Sequence, residues 1–443
     1  MAISIAATTA ATPGASCGGS SARCRRSSGC PRPREPDKEN PIMRRRDFLQ
    51  VAMAGGVGAT LGVPAFLRRT WAQGGPIMIG MPAALSGAYA QYGIQAKRAA
   101  ELFSKDIKGK GILGRPVEFI YEDTAGDPAT AVRKAQKLVE KDGVKFLTGV
   151  ALSSEALAVS AKCPEWKVIF MSTINGAGAL TAKAFHRYFF RVNTSGPMGA
   201  RAISLYLAEG PMKRFFALGS DYAWGRDSVA SFTTQITAAK KEIVGTDYPP
   251  VGTKDFASYI AKIRQSKADG VYLALPGQDA TIYLKQAHQF GLNREVKPIM
   301  EILELENMKA VGDAMVGAIG SSRYPFTVDT PRNRDFVKRF HDLHGVYPDM
   351  FDGETYEGLE WLGQVIQKAG TDDVEKVIEA WEDSSYEGLE GPFFMRKCDH
   401  QAVQLGFAVE AVKDPKYPHP IPKILATYPG EKVTPKCRTE DFS

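Results

Sequence analysis

The sequence is poor in the residues and patterns that carry covalent chemistry. Six cysteines and six histidines are all that 443 residues contain. No H-E-x-x-H motif or phosphate loop occurs after residue 72, and no G-x-S-x-G elbow surrounds Ser153. Metalloprotease, nucleotide and serine-hydrolase chemistry thus lack their usual signatures. A spanning apolar run is missing too. The best candidate, Val51–Leu67, is interrupted by Pro64 and four glycines, and falls short of the roughly 20 apolar residues a membrane helix needs. The net charge of +7 suggests nucleic acid until it is located. Residues 1–72 hold 11 of the 56 basic and 4 of the 49 acidic residues, which leaves 45 of each sign. The remainder is formally neutral and has no long basic run interleaved with aromatics, so nucleic-acid partners are excluded.

What is present begins with an address. Arg45-Arg46-Asp47-Phe48-Leu49-Gln50 fits a twin-arginine pattern, and the softened apolar run follows it. Thr70-Trp71-Ala72 supplies small residues for cleavage before Gln73. Residues 43–72 therefore read as an export signal, which implies the periplasm. The GGVGAT inside it has no preceding strand and is not a nucleotide loop. Residues 1–42 are Ala/Ser/Gly/Pro/Arg-rich without periodicity. They are either a disordered leader or precede a true start at Met43. Three cysteines lie in that leader, leaving Cys163, Cys398 and Cys437. An oxidising compartment permits a disulfide. Cys398 with Cys437 is the candidate pair, although sequence does not fix connectivity.

From Pro76 strands alternate with amphipathic helices, the mark of an α/β fold with parallel sheets. Ile77–Ile79 starts a strand that runs into a small-residue loop ending in Ser86-Gly87, with a helix entered near Tyr92. Val117–Tyr121, Lys145–Gly149 and Val168–Met171 follow as strands, and Asp127-Pro128 signals a helix start. The pattern then restarts with strands at Arg214–Leu218, Glu242–Thr246, Gly270–Ala274 and Lys297–Met300. Helices dominate after about Ser321, before short strands near Pro392–Met395 and Gln404–Val409. Two α/β halves imply two lobes with a cleft between them, where strand ends and domain interfaces receive small ligands.

Several runs resemble one family. They are GMPAALSGAYAQYG (80–93), KGILGRPVEFIYED (110–123), DPATAVRKAQKLV (127–139), GVALSS (149–154), SDYAWG (220–225) and DFASYIAKI (255–263). In this order they resemble type I periplasmic binding proteins, and more narrowly the leucine/isoleucine/valine-binding family of ABC importers, over 76–412. RKCDHQAVQ (396–404) resembles a branch that also takes aromatic acids. The resemblance implies two Rossmann-like lobes joined by a multi-strand hinge: lobe 1 at 76–194, lobe 2 at 195–320, a return to lobe 1 at 321–390, and hinge or lobe 2 strands and a tail at 391–443. It implies that Tyr92 forms an aromatic wall and that Ser153, with Ser154 beside it, holds a carboxylate. Asn175 and Gly176 fall on the next binding loop, Tyr222 and Trp224 on the second lobe's aromatic loop, and Gln278 near another contact. Glu301 or Glu304 lies near the acid that pairs with an amino-acid ligand's ammonium group. Amino-acid binders often carry threonine where this chain has Gly176.

The expected function is capture of a small carboxylate-bearing solute, branched-chain amino acid-like or aromatic, for delivery to an inner-membrane ABC permease. No enzyme activity, cofactor or metal is expected, and the protein is expected to be a monomer. A sensory or regulatory binding protein of the same fold is the alternative, and an exported enzyme ranks behind it. His341 and His344, one turn apart before Gly345, read as a favourable helix end and not as metal ligands. Asp399-His400-Gln401 reads as structural.

Overall fold

The computed structural model describes residues 74–438. The expected leader at 1–42 and the expected export signal at 43–72 lie outside them. Strand β1 (Ile77–Ala83) is buried along nearly its whole length, as a central strand covered on both faces must be. With β2 (Val117–Asp123), β3 (Phe146–Leu147), β4 (Ile169–Ser172) and β5 (Phe189–Arg191) it forms a parallel sheet of order β2-β1-β3-β4-β5. The pattern repeats in β6 (Arg214–Gly219), β7 (Glu242–Asp247), β8 (Gly270–Ala274), β9 (Lys297–Met300) and β10 (Ile319–Ser322). These are parallel in the equivalent order β7-β6-β8-β9-β10. Two α/β lobes result. The second sheet departs from the expected parallel arrangement at one edge. After a small antiparallel sheet of β11 (Ser385–Glu387), β12 (Pro392–Met395) and β13 (Ala402–Val403), the chain adds β14 (Gly406–Val412) and β15 (Ile421–Tyr428) antiparallel beside β10.

Each lobe opens with the same device. Helix Ala90–Asp106 follows β1 and helix Ala223–Ala238 follows β6. A side-chain carbon at Gly93 would collide with the carbonyl of Ala84, and one at Gly225 with the carbonyl of Ser220. Glycine there lets each helix press against the strand-end loop that precedes it. The residue just before each glycine, Tyr92 or Trp224, is thereby held at the strand's carboxyl end. The expected start at Asp127 is present: its carboxylate accepts Thr130 N–H at 2.7 Å, with Pro128 in the first turn.

The lobes are joined by three chain crossings, two of which meet in a buried polar seam. Arg191 N–H donates to His400 O at 2.8 Å, and Gln401 Nε2 donates to Asn193 O at 3.0 Å. Gln404 Nε2 donates to Val192 O at 2.8 Å. His400 stacks on Phe190 with ring centroids 3.9 Å apart. Asp399-His400-Gln401 thus ties crossings together. The third link, 322–330, carries the chain from β10 to helix Pro331–His344. That helix ends at Gly345, which adopts φ 69°. His344 Nε2 lies 3.1 Å from Arg98 O, and His341 packs on Tyr347. Helix Met350–Ala369 then returns to the first lobe, where Asp352 takes a bidentate pair from Arg98 at 3.0 and 2.8 Å.

Three elements carry no period in sequence. Helix Gly196–Glu209 is buried on most sides, so no amphipathic stripe marks it. Strand β5 has three residues and β10 is IGSS.

Cys398 and Cys437 form a disulfide across 39 residues, and Cys163 is buried and free. For a loop of this size the chain-entropy contribution is about 4 kcal/mol, and measured losses run about 2–4 kcal/mol. Replacing Cys437 by Ser is expected to lower stability by that amount in urea unfolding. An unchanged midpoint would show that the tail adds nothing to the fold.

Candidate functional site

The carboxyl ends of both sheets face one cleft enclosing about 270 Å³ of space, its open mouth included. Its walls are Tyr92, Leu152, Ile174, Tyr222, Trp224, Ile302 and Phe351, with Ser153, Asn175, Gly176 and Arg323 as polar or backbone contributors.

On the first lobe, Tyr92 meets Phe351 edge-on at 4.9 Å and donates its hydroxyl to Glu304 Oε1 at 2.7 Å. Ser153 opens helix Ser153–Ser160, and its Oγ accepts the N–H groups of Gly176 (3.3 Å) and Ala177 (3.1 Å). With both bonds made as acceptor, its hydroxyl hydrogen is available to donate. Ser154 is half-buried and lies outside the lining. Asn175 borders the cleft with its side chain already committed: Nδ2 donates to Val150 O at 2.6 Å and Oδ1 accepts Ser172 Oγ at 2.6 Å. It shapes the loop instead of offering a free amide.

On the second lobe, Tyr222 precedes helix Ala223–Ala238 and packs 5.9 Å from Trp224, ring to ring. Trp224 is buried, and its Nε1 has no partner among the described residues. Gln278 is exposed on the outer side of helix Gly277–Gln289 and does not line the cleft; Pro276 does. The buried acid beside it, Asp279, accepts Gly252 N–H at 2.8 Å and the Tyr89 hydroxyl at 3.3 Å.

The loop after β9 sends one side chain into the cleft and buries the acids on either side of it. Ile302 enters the cleft, whereas Glu301 and Glu304 are fully buried behind it. Neither acid lines the space in which a ligand ammonium would sit. Both Glu301 oxygens, and Oε2 of Glu304, lack partners among the described residues. Burial pushes each carboxyl up to about 8, against the pull of the nearby Arg323 charge. Both are therefore mostly protonated at neutral pH.

Arg323, in the link after β10, escaped sequence reasoning, as did Phe351 and Ile302. Its Nη1 donates to Ile174 O at 2.6 Å, its guanidinium lies 5.5 Å over the Phe351 ring, and its Nε is unpartnered among the described residues. It is the one charged side chain in the lining. Gly176 now has a steric reason. A side-chain carbon there would fall 2.7 Å from both Arg323 Nη2 and Trp224 Cδ1. Threonine is excluded because the arginine and the tryptophan occupy its place.

The raised acids give a pH dependence with a definite sign. A folded-state value near 8, against an ordinary value near 4.5, means the folded protein holds protons that the unfolded chain has released. That contribution is whole below about 4.5 and gone above about 8. The melting temperature should fall as pH rises across this window, and Glu301→Gln should flatten the fall. A variant with the parent's slope would show that Glu301 is ionised in the fold.

A sequence model of the family described as "Periplasmic binding protein" matches residues 76–416. Leu/Ile/Val-binding protein homolog 6 of Brucella suis biovar 1 (strain 1330) is 24% identical over 324 residues, which cover 71% of this chain and 82% of its own. Among solved structures, an ABC transporter substrate-binding protein from Sphaerobacter thermophilus is 28% identical with a TM-score of 0.74, covering 80% of this chain and 98% of its own. The solute-binding protein of an ABC transporter from Rhodopseudomonas palustris BisB5, in complex with 3,4-dihydroxybenzoic acid, shares the fold with a TM-score of 0.76, 24% identity and coverages of 80% and 98%. A match this long, on two lobes that meet over a single cleft, shows that the chain belongs to the periplasmic binding protein family, in its leucine/isoleucine/valine-binding branch, as the solute-binding component of an ABC importer.

Proposed function

We propose that the solute is a small carboxylate with an apolar, aromatic body and no ammonium group, brought to the permease by a protein exported through the twin-arginine route. The observation that carries this is the charge of the cleft: Arg323 lines it, and no carboxylate does. An amino-acid zwitterion would need an acid for its ammonium group, since an unpaired buried charge is costly. Ile302 stands where such an acid would have to enter. A lone carboxylate instead matches the Arg323 guanidinium, the free hydrogen of Ser153 and the neighbouring loop. The aromatic walls of Tyr92, Tyr222, Trp224 and Phe351 suit a flat ring. The Rhodopseudomonas palustris protein, which holds 3,4-dihydroxybenzoic acid, supports the capacity of this fold for such a body. The Brucella relative's name points to branched-chain amino acids, and the cleft's charge argues against them here.

The test is a thermal-shift and calorimetric comparison of 3,4-dihydroxybenzoate, benzoate and leucine. Binding of the aromatic acids raises the melting temperature by mass action, and leucine leaves it unchanged. A shift with leucine alone would overturn the proposal. Arg323→Gln is expected to weaken benzoate binding about 10- to 100-fold, the range for a hydrogen bond to a charged group. It should leave any binding of the uncharged benzamide unaltered. Trp224→Phe should keep the fold and weaken aromatic solutes; parental affinity would remove Trp224 from the binding wall.

A further inference from the structure

The two lobes touch across the cleft through a contact that no ligand makes. Helix Leu305–Val311 belongs to the second lobe and begins just after Glu304. The first N–H groups of any helix have no acceptor within it. The preceding residue's side chain commonly supplies one, yet Glu304 does not; its carboxyl is turned to the Tyr92 hydroxyl. The acceptor comes from the other lobe. Asp349 Oδ1 accepts Leu305 N–H at 3.0 Å and Oδ2 accepts Glu306 N–H at 3.0 Å. Asp349 also begins helix Met350–Ala369, accepting Met350 N–H at 2.8 Å, and its own N–H donates to Asp352 Oδ2 at 2.9 Å. Asp352 is held by Arg98 on the helix that carries Tyr92. One carboxylate thus caps a helix in each lobe, and it is buried, outside the lining of the cleft.

We infer that Asp349 is a closure clasp, a positioning residue that holds the two lobes together over the solute by capping the second lobe's helix from the first lobe. The inference rests on the proposed capture of a solute in this cleft, and adds that the lobes close over it. Opening the cleft breaks both cross-lobe bonds and returns Asp349 and the two N–H groups to water. The clasp therefore acts on the closed state and slows solute release, while the encounter of solute with the open cleft does not depend on it.

The test uses Asp349→Asn in the full exported protein. Asparagine is as good a cap as aspartate and keeps one oxygen for Met350. Its amide group then faces the Glu306 N–H, donor against donor. Glu306→Pro is the second variant; it deletes one of the two N–H groups from within the first helical turn, where proline is tolerated. For both, stopped-flow fluorescence with 3,4-dihydroxybenzoate is expected to show release accelerated on the order of tenfold, the effect of losing a cap, with association rising no more than the open fraction does. Solute-free small-angle scattering is expected to show a larger radius of gyration than the parent. Parental release rates and an unchanged radius in both variants would overturn the clasp, as would a lower melting temperature with neither change, which marks a local cap only. If the parent does not bind 3,4-dihydroxybenzoate, the solute proposal fails, and the scattering comparison still decides the clasp.

Discussion

A guanidinium removed from water is the constraint on which the cleft is built. Arg323 stands on a chain crossing, bonds to Ile174 of the first lobe and lies over Phe351. A buried cation of this kind needs an anion or several hydrogen bonds to offset its desolvation. The protein surrounds it with carboxyl groups, Glu301, Glu304 and Glu354, whose burial holds all three well above the usual carboxylate range. Carboxyl groups held above their usual range neutralise the arginine less than ionised ones would. The proposed solute carboxylate answers the charge that remains. The glycine at 176 and the isoleucine at 302 follow from the same constraint, one making room for the cation and the other withholding a competing anion.

Much of the architecture was legible in the sequence because local rules agreed there. Asp127-Pro128 announced its helix, and Gly345 closed another. The repeat of strands and helices gave two lobes. What stayed hidden has physical reasons. Helix Gly196–Glu209 is buried too evenly to show a stripe, and IGSS at β10 has neither branched residues in number nor alternation. Missing β10 concealed Arg323, which would otherwise have stood out as an arginine directly after a buried strand.

Site residues divide in the same way. Tyr92, Ser153, Gly176, Tyr222 and Trp224 follow strand ends and come together around one space. Glu301, Ile302 and Glu304 sit in a loop where neighbouring side chains take opposite directions, so a shift of one residue exchanges an acid for an aliphatic chain. Resemblance brought attention to that loop without its register. Gln278 shows the same limit at a helix start, where Pro276 faces the cleft and Gln278, two positions on, faces solvent.

The Cys398–Cys437 bond has a mechanical meaning beyond its thermodynamic one. The covalent ring it closes contains the crossing at 400–404 and the paired strands β14 and β15. Those strands cannot be peeled from the second lobe past Cys437 while it is bonded to Cys398, next to the small antiparallel sheet. Relative movement of the lobes has to be taken up as bending within the three crossings. A protein that must open and close many times between solute and permease is in this way protected against tearing along its last-added edge.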